Sequence, residues 1–151
     1  MIYKSINSPF GPLTLFEEDD AIIVLEFGRV RGHGDETKLL RQATAQLGAY
    51  FDGKLTEFDL PLRPPGSEFQ KQVCAAMSRI PYGETRTYGD LAGELGSAAR
   101  AIGGACGRNP IPIIIPCHRV MGMGGKLTGF SGAGGVETKQ ALLRLEGATL
   151  I

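Results

Sequence analysis

The side chains best suited to covalent chemistry lie at adjacent positions, Cys117 and His118, inside the run Pro-Cys-His-Arg-Val at residues 116–120. A cysteine thiolate is a strong nucleophile, and a neutral imidazole within reach can take the thiol proton. Such a pair could attack an acyl carbon or an alkyl carbon. The alternative interpretation is a small buried cysteine beside a core histidine, which is the commoner role for an arbitrary pair of this kind.

The segment before this pair contains three prolines and four isoleucines within residues 109–116. This composition predicts an extended, stiff segment that carries Cys117 into an apolar interior. A thiol there is poorly ionised unless a base draws its proton away, and His118 is the obvious base. Successive side chains of a strand point to opposite faces, so contact between the two residues requires a bridging water or a local bend.

The remaining composition narrows the class of protein. The three cysteines, Cys74, Cys106 and Cys117, form no Cys-x-x-Cys pair, so we expect reduced thiols and no metal site. Residues 1–66 hold 7 basic and 10 acidic side chains and residues 67–151 hold 9 and 6, which is compatible with a phosphate-facing second half but decides nothing. With no long apolar run and no export signal, a cytoplasmic protein without membrane contact is expected.

The first sixty residues have the pattern of a small sheet with one helix. Alternating residues at 2–6 and 13–16 flank a turn-forming stretch and predict a hairpin, and the β-branched run at 21–27 predicts a third strand. A helix follows, because apolar residues recur at helical spacing up to Phe51 and Gly53 can cap its end. The proline-rich stretch after residue 60 predicts a boundary, which gives an N-terminal domain of residues 1–62, a linker of residues 63–66 and a C-terminal domain of residues 67–151.

The C-terminal part has the pattern of three short helices. Ser67 with Gln70 forms a capping-box pattern that predicts a helix over residues 67–80. Thr87 can cap a second helix that ends at Gly96, and Ser97 is predicted to cap a third. Two short helices joined by a glycine turn favour a helix-turn-helix, whose second helix is normally presented to a duplex; an ordinary helical hairpin is the alternative.

The third helix, residues 98–106, has a nearly bare exposed face. Ala98, Ile102 and Cys106 share one face and can pack, while Arg100 and Gly104 lie on another. The glycines at 103 and 104 should weaken a helix by ~1–2 kcal/mol relative to alanine. Such a helix is expected where a partner approaches the backbone closely, and a basic side chain beside it suggests a polyanion or a narrow groove.

Three motifs occur in order along the C-terminal part: Arg-Asn-Pro-Ile-Pro at 108–112, Pro-Cys-His-Arg-Val at 116–120 and Gly-Phe-Ser-Gly at 129–132. Together they resemble the O6-alkylguanine-DNA alkyltransferase family over about residues 67–147, and the N-terminal residues resemble it by arrangement alone. The resemblance implies an α/β, ribonuclease-H-like N-terminal domain, a small antiparallel sheet plus a helix. A mainly α, winged-helix-like domain with a helix-turn-helix is expected to follow.

The resemblance also assigns the chemistry. It implies that Cys117 accepts the alkyl group, that His118 is its general base through a bound water, and that Glu146 orients the histidine. Tyr88 resembles the residue that helps rotate the nucleotide out and protonates the guanine ring as the alkyl group leaves. Without the resemblance, Glu146 would be interpreted as a solvated charge at the end of a helix.

The remaining site residues concern DNA. Arg100 resembles a finger that fills the space of the extruded base, on a helix pressed into the minor groove. The predicted DNA-binding residues are Ala99, Arg100, Gly103, Gly104 and Arg119. The resemblance assigns the hinge to Asn109 and makes the Cys117 and Val120 carbonyls acceptors from the base. Phe130 is expected to form a wall of the base pocket, where some members have tyrosine, and Ser131 is expected to donate to O6.

The predicted function is DNA repair by a monomer that acts on double-stranded DNA. An alkyl group passes irreversibly from O6-alkylguanine, and from O4-alkylthymine, to Cys117 as a thioether, so the protein is consumed. No cofactor is expected, and no metal, since the N-terminal part has no cysteine and only His33. Two alternatives stay open: a cysteine hydrolase that turns over, and a helix-turn-helix regulator without chemistry.

Overall fold

A three-stranded antiparallel sheet opens the chain, with β1 (Ile2–Ile6), β2 (Leu13–Glu18) and β3 (Ala21–Phe27) side by side in that order. In this computed structural model, which describes residues 1–127 and 135–148, the sheet belongs to the first of two units, residues 1–65. Asp19 and Asp20 join β2 to β3 with φ of 48° and 62°. Short acidic side chains tolerate this conformation, which suits a tight hairpin.

Helix α1 (Lys38–Phe51) packs against β1 and β2. Thr37 caps it by accepting from the Leu40 amide at 3.0 Å, and its hydroxyl donates to the buried Glu17 carboxylate at 2.5 Å. The sheet and the helix start are therefore tied by one threonine. The core of this unit consists mainly of Leu13, Leu15, Ile22, Leu25, Leu40, Ala43, Leu47 and Tyr50.

The proline-rich segment is bound to the sheet edge over its first residues. The Ile22 amide donates to the Pro61 carbonyl and the Arg63 amide donates to the Ile22 carbonyl, both at 2.9 Å. Pro61 has no amide hydrogen, so it can serve there only as an acceptor. Arg63, the first residue of the predicted linker, thus belongs to the first unit, and the second unit spans residues 66–151.

The second unit is mainly helical, with α2 (Glu68–Ser78), α3 (Tyr88–Leu95), α4 (Ala99–Gly107) and α5 (Val136–Leu145). Helices α2, α3 and α4 pack on one another. A short parallel pair, β4 (Arg86–Thr87) and β5 (Val120–Met121), brings the start of α3 beside the chain that follows Cys117. No helix among the described residues is long and apolar enough to cross a membrane.

Two of the predicted caps differ in detail. Ser67 accepts from the Gln70 amide at 3.1 Å, but the buried Gln70 side chain donates to the Ala105 carbonyl of α4 at 2.8 Å, so the reciprocal half of the capping box is absent. Ser97 does not cap α4, because its amide closes the end of α3 on the Ala92 carbonyl and the helix begins after Ala98. The sequence predicts that Ala98 packs on the buried face of that helix, but Ala98 is exposed and precedes the helix. The prediction for this residue is therefore wrong.

Candidate active site

Residues 109–116 form a buried loop that closes on itself. The Asn109 side chain donates to the Ile115 carbonyl at 2.8 Å and accepts from the Ile111 amide at 3.0 Å. Ile113 has a φ of 73°, an unfavourable conformation for a β-branched residue. The expectation of an extended segment is therefore wrong: the Asn109 amide supplies partners for two buried backbone groups and bends the chain.

The loop ends in a 3₁₀ turn over Cys117–Arg119. The Cys117 amide donates to the Ile115 carbonyl at 2.8 Å and the Arg119 amide to the Pro116 carbonyl at 3.0 Å. Neighbouring side chains in such a turn are separated by about 120° rather than the 180° of a strand. The bend that a Cys-His contact requires is thus present, and it places Cys117 and His118 in the interior with 6% and 0% exposure.

His118 is held by the residue at the end of α5. Its Nε2 atom lies 2.7 Å from Glu146 Oε2, and neither side chain is exposed. A carboxylate only accepts, so Nε2 carries the proton and Nδ1 is the basic nitrogen of the neutral ring. Nδ1 is buried and has no hydrogen-bond partner among the described residues. Burial lowers the pKa of His118 from 6.5, against the opposing hydrogen bond and charge of Glu146, which keeps the ring neutral at neutral pH.

Arg119 shares the same carboxylate. Its Nε donates to Glu146 Oε1 at 2.8 Å and its Nη2 to Oε2 at 3.0 Å, while Nη1 donates to the Ile80 carbonyl at 2.6 Å. The side chain is only 8% exposed. A guanidinium whose donors are used inside the protein is not available to a phosphate. The predicted DNA contact of Arg119 is therefore wrong, and the residue belongs to the His118 network.

The Cys117 thiol is buried, and polar groups of neighbouring residues act on its pKa. Burial raises the pKa of the Cys117 thiol from 9.0, and a hydrogen bond with the Asn109 side chain and the positive charge of Lys139 act in the opposite direction. Burial also raises the pKa of Cys106, to about 12, and that of Cys74. All three cysteines are reduced and buried, and Cys117 is the one that directly precedes a neutral histidine held by a carboxylate.

Lys139 is a site residue that the sequence analysis missed. Its side chain is fully buried, and Nζ donates to the Val120 carbonyl at 2.5 Å and lies 5.8 Å from the centre of the Tyr88 ring. Burial lowers the pKa of Lys139, while the negative charge of an ionised Cys117 or Cys106 would raise it. The spacing offered a signal, since Lys139 shares a helix face with Leu142, Leu143 and Glu146, and a lysine inside an apolar stripe is unusual.

The β4–β5 pair brings the start of α3, where Tyr88 lies, beside Val120. Thr87, in β4, is paired with Met121 in β5 and caps α3 by accepting from the Asp90 amide at 3.0 Å. Tyr88 is the first residue of that helix and is partly exposed. The Cys117 carbonyl accepts from the Val120 amide, and the Val120 carbonyl accepts from Lys139 Nζ. A carbonyl oxygen has two lone pairs and can accept a second hydrogen bond.

Helix α4 presents the bare surface that the sequence predicts. Ala99, Arg100 and Gly104 are exposed and Gly103 is partly exposed. A Cβ atom at Gly103 would meet nothing within 4 Å, and one at Gly104 would meet only the Arg108 guanidinium, at 3.3 Å. Internal packing of the described residues therefore does not require these glycines. The predicted pocket residues Phe130 and Ser131 lie outside the described part of the chain.

The second unit thus joins a helix-turn-helix, α3 and α4, to a buried cysteine beside a histidine–carboxylate pair, which defines a cysteine-nucleophile protein with a nucleic-acid-binding motif. Two family models match the chain. The DNA binding domain of 6-O-methylguanine DNA methyltransferase matches residues 68–148, and the ribonuclease-like domain of the same protein matches residues 1–64. The chain belongs to the 6-O-methylguanine DNA methyltransferase family.

Curated relatives match over nearly their whole length. The methylated-DNA–protein-cysteine methyltransferase of Methanosarcina acetivorans is 45% identical, with 98% of this chain and 99% of that protein covered. The protein of the same name from Mycolicibacterium paratuberculosis is 48% identical, with 95% and 91% covered. The family resemblance predicted from the C-terminal motifs is confirmed and extends through the N-terminal unit.

Solved structures agree with the fold. Mycobacterium tuberculosis OGT in complex with DNA has a TM-score of 0.88 at 47% identity, covering 97% of this chain and 93% of that chain. The O6-methylguanine DNA methyltransferase of Methanococcus jannaschii has a TM-score of 0.71 at 27% identity, covering 98% and 95%. The predicted order, a ribonuclease-like sheet and helix followed by a mainly helical unit, is confirmed.

Proposed function

We propose that this chain repairs alkylated DNA by moving the alkyl group of O6-alkylguanine to Cys117 Sγ. The observation that carries the proposal is the buried Cys117 on a 3₁₀ turn, followed by a neutral His118 that Glu146 holds at 2.7 Å. The relatives also support the proposal, because two that are 45% and 48% identical over nearly the whole chain are named methylated-DNA–protein-cysteine methyltransferases. DNA is the expected partner, as for the Mycobacterium tuberculosis protein in its DNA complex.

The chemistry is an in-line displacement. His118 Nδ1 takes the thiol proton through a bridging water, and the Cys117 thiolate attacks the alkyl carbon. A carbon–sulfur bond forms as the bond between carbon and O6 breaks, and the electron pair of that bond moves to the guanine. Tyr88 is assigned the proton that neutralises the leaving base, and the proton taken up by His118 then returns to the Tyr88 phenolate through solvent. Overall, the thiol hydrogen is exchanged for the alkyl group, and unmodified guanine is restored.

Burial and charge support these roles. A neutral His118 is the form able to accept a proton, and Glu146 stabilises the imidazolium that forms when it does. Lys139 favours the thiolate over the thiol of Cys117. A thioether is a poor leaving group, and none of the assigned residues would hydrolyse it, so each molecule reacts once.

Access to the base requires that it leave the duplex. We assign Arg100, exposed on α4, to the space that the extruded base vacates, and the small surface of Ala99, Gly103 and Gly104 to close contact in the minor groove. Asn109 is assigned the hinge between α4 and the Cys117 loop, which it already closes. Action as a monomer, and on O4-alkylthymine, belongs to the same proposal.

The test is attachment of a labelled O6-benzylguanine, followed by intact mass and peptide mapping. We expect one benzyl group per molecule on Cys117 of the wild type and none on Cys117→Ala, while Cys74→Ala and Cys106→Ala react like the wild type. An adduct on Cys74 or Cys106, or no adduct at all, would overturn the assignment. Repeated turnover of an ester would favour a cysteine hydrolase instead, and equal binding to plain and alkylated DNA without any adduct would favour a regulator.

A further inference from the structure

The Arg119 side chain is almost fully buried, and its guanidinium donates to the Glu146 carboxylate that holds His118. We propose that Arg119 is a positioning residue for the alkyl transfer: it fixes the Glu146 carboxylate in its ionised form, so that His118 keeps Nδ1 as its basic nitrogen. This inference rests on the proposed function, since it gives Arg119 a role in the same site. It replaces the DNA contact that the sequence predicted for this residue.

The contacts between Arg119 and Glu146 support the proposal. The Arg119 guanidinium contacts both oxygens of Glu146, Oε1 at 2.8 Å and Oε2 at 3.0 Å, and His118 Nε2 shares Oε2 at 2.7 Å. The planar fork of arginine matches a carboxylate in this way, whereas a lysine ammonium offers one point of charge. With both oxygens engaged, the carboxylate cannot turn away from the histidine.

Burial gives the arginine its chemical importance. The Glu146 side chain has no exposure, and a buried carboxyl group without a cation nearby tends to take up a proton. A protonated Glu146 would donate to His118 Nε2, and the proton of the ring would then reside on Nδ1. That tautomer cannot accept the thiol proton. Arg119 prevents this outcome by compensating the charge of Glu146.

Arg119 is itself anchored where α2 ends. Its Nη1 donates to the Ile80 carbonyl at 2.6 Å, two residues beyond Ser78, the last residue of α2. The following turn packs on the end of α5, since the Tyr82 hydroxyl donates to the Leu145 carbonyl at 3.3 Å. The guanidinium also lies 5.7 Å from the centre of the Tyr82 ring. The arginine is therefore held from a third element.

The charges around His118 set the expected pH dependence. Glu146 and Lys139 face it from α5, and Arg119 faces it from its own turn. Glu146 raises the pKa of His118, whereas burial and the two cations lower it. Removal of Arg119 changes two quantities together, the charge near the ring and the ionisation of Glu146. Loss of a basic Nδ1 should remove the neutral-pH plateau of Cys117 reactivity.

The experiment measures the rate at which Cys117 is alkylated as a function of pH, by peptide mass spectrometry, with iodoacetamide and with O6-benzylguanine. We expect the wild type to reach a plateau near neutral pH. Arg119→Met should react about tenfold more slowly or worse at pH 7 with both reagents, and its rate should keep rising toward alkaline pH as the thiol ionises unaided. Arg119→Lys should recover part of the rate. Arg79→Met, which removes an exposed arginine of the same unit, is the matched control and should behave like the wild type.

Two further measurements make each outcome decisive. If Arg119→Met does not fold, Arg119→Lys is combined with Glu146→Gln. Because Arg119 is proposed to act through Glu146, the lysine substitution should slow the Glu146→Gln variant little further. Additive losses of rate in the double variant would overturn the proposal. Wild-type rates and pH profile in a folded Arg119→Met would also overturn it. If O6-benzylguanine fails on the wild type while the iodoacetamide profiles differ as expected, the proposed function fails and the role of Arg119 stands.

Discussion

His118 and Glu146 are hydrogen-bonded at 2.7 Å with both side chains fully buried, although 28 positions separate them in the chain. The contact exists because α5 packs against the 3₁₀ turn over Cys117–Arg119 and Glu146 is the C-cap residue of that helix. A buried carboxylate at this distance fixes the proton on Nε2 and leaves Nδ1 to act as a base. The proposed general base of Cys117 is thus held in place by a residue at a distant helix end.

Neutralising that carboxylate should slow the reaction of Cys117. Glu146→Gln keeps the shape of the side chain but removes its charge, so the imidazolium formed during proton transfer loses its stabilisation. We expect the rate with O6-benzylguanine at pH 7 to fall about a hundredfold, as is typical when general-base catalysis is impaired. Glu137→Gln, in the exposed first turn of the same helix, is the matched control. Equal rates for Glu146→Gln and the wild type would contradict the relay.

Acid should destabilise the folded protein through His118. Its folded-state pKa is lowered from 6.5 by burial, so the unfolded chain binds the proton more readily. The contribution of His118 to the free energy of unfolding is fully present above about pH 6.5, the ordinary histidine pKa. This contribution is lost as pH falls toward the folded-state pKa. The slope contributed by this one group is at most about 1.4 kcal/mol per pH unit.

Urea denaturation at a series of pH values between 7 and 5 measures this loss. His118→Gln should show a shallower fall in the free energy of unfolding than the wild type over that range. His33→Gln, which replaces an exposed histidine, should keep the wild-type slope. An unchanged slope in His118→Gln would show that other groups govern the acid response.

Arg100 should matter for duplex DNA and not for a free base. Its side chain is exposed on α4, and a base must be unstacked from a duplex at a cost of a few kcal/mol before Cys117 can reach it. Arg100→Ala should slow repair of O6-methylguanine in a duplex by about 10- to 100-fold, which corresponds to ~1.4–2.8 kcal/mol. Its reaction with free O6-benzylguanine should be unchanged. Equal losses on the two substrates would refute the finger role, and Arg79→Ala serves as the control.

Lys139 should lower the pKa of the Cys117 thiol and so raise its reactivity at neutral pH. Lys139→Met keeps much of the buried volume and removes the charge that lowers the pKa of Cys117. We expect the iodoacetamide rate of Cys117 at pH 7 to fall several-fold and its pH profile to move to higher pH. Thermal stability should change little, because burial of an ammonium group is itself unfavourable. The exposed Lys126→Met is the matched control, and an unshifted profile in Lys139→Met would exclude the effect.

The sequence by itself determined the secondary-structure elements and the candidate nucleophile. The hairpin, the third strand, α1 and the helix-turn-helix follow from local signals such as residue periodicity, Thr87 as a cap and Gly96 as a stop. Local signals suffice there because propensity, capping and turn geometry act over a few residues. Cys117 stood out through its motif context and not through its spacing, since a lone cysteine is usually buried packing.

Only the tertiary structure decided which side chains surround that cysteine. The sequence predicts a DNA contact for Arg119, which lies in the interior, and it does not single out the buried Lys139. It also predicts an extended segment at 109–116, where Asn109 closes a loop. These outcomes depend on which face of α5 and which end of α2 meet the 3₁₀ turn. Contacts of this kind join residues tens of positions apart, and the burial that changes their pKa values arises only when the helices pack.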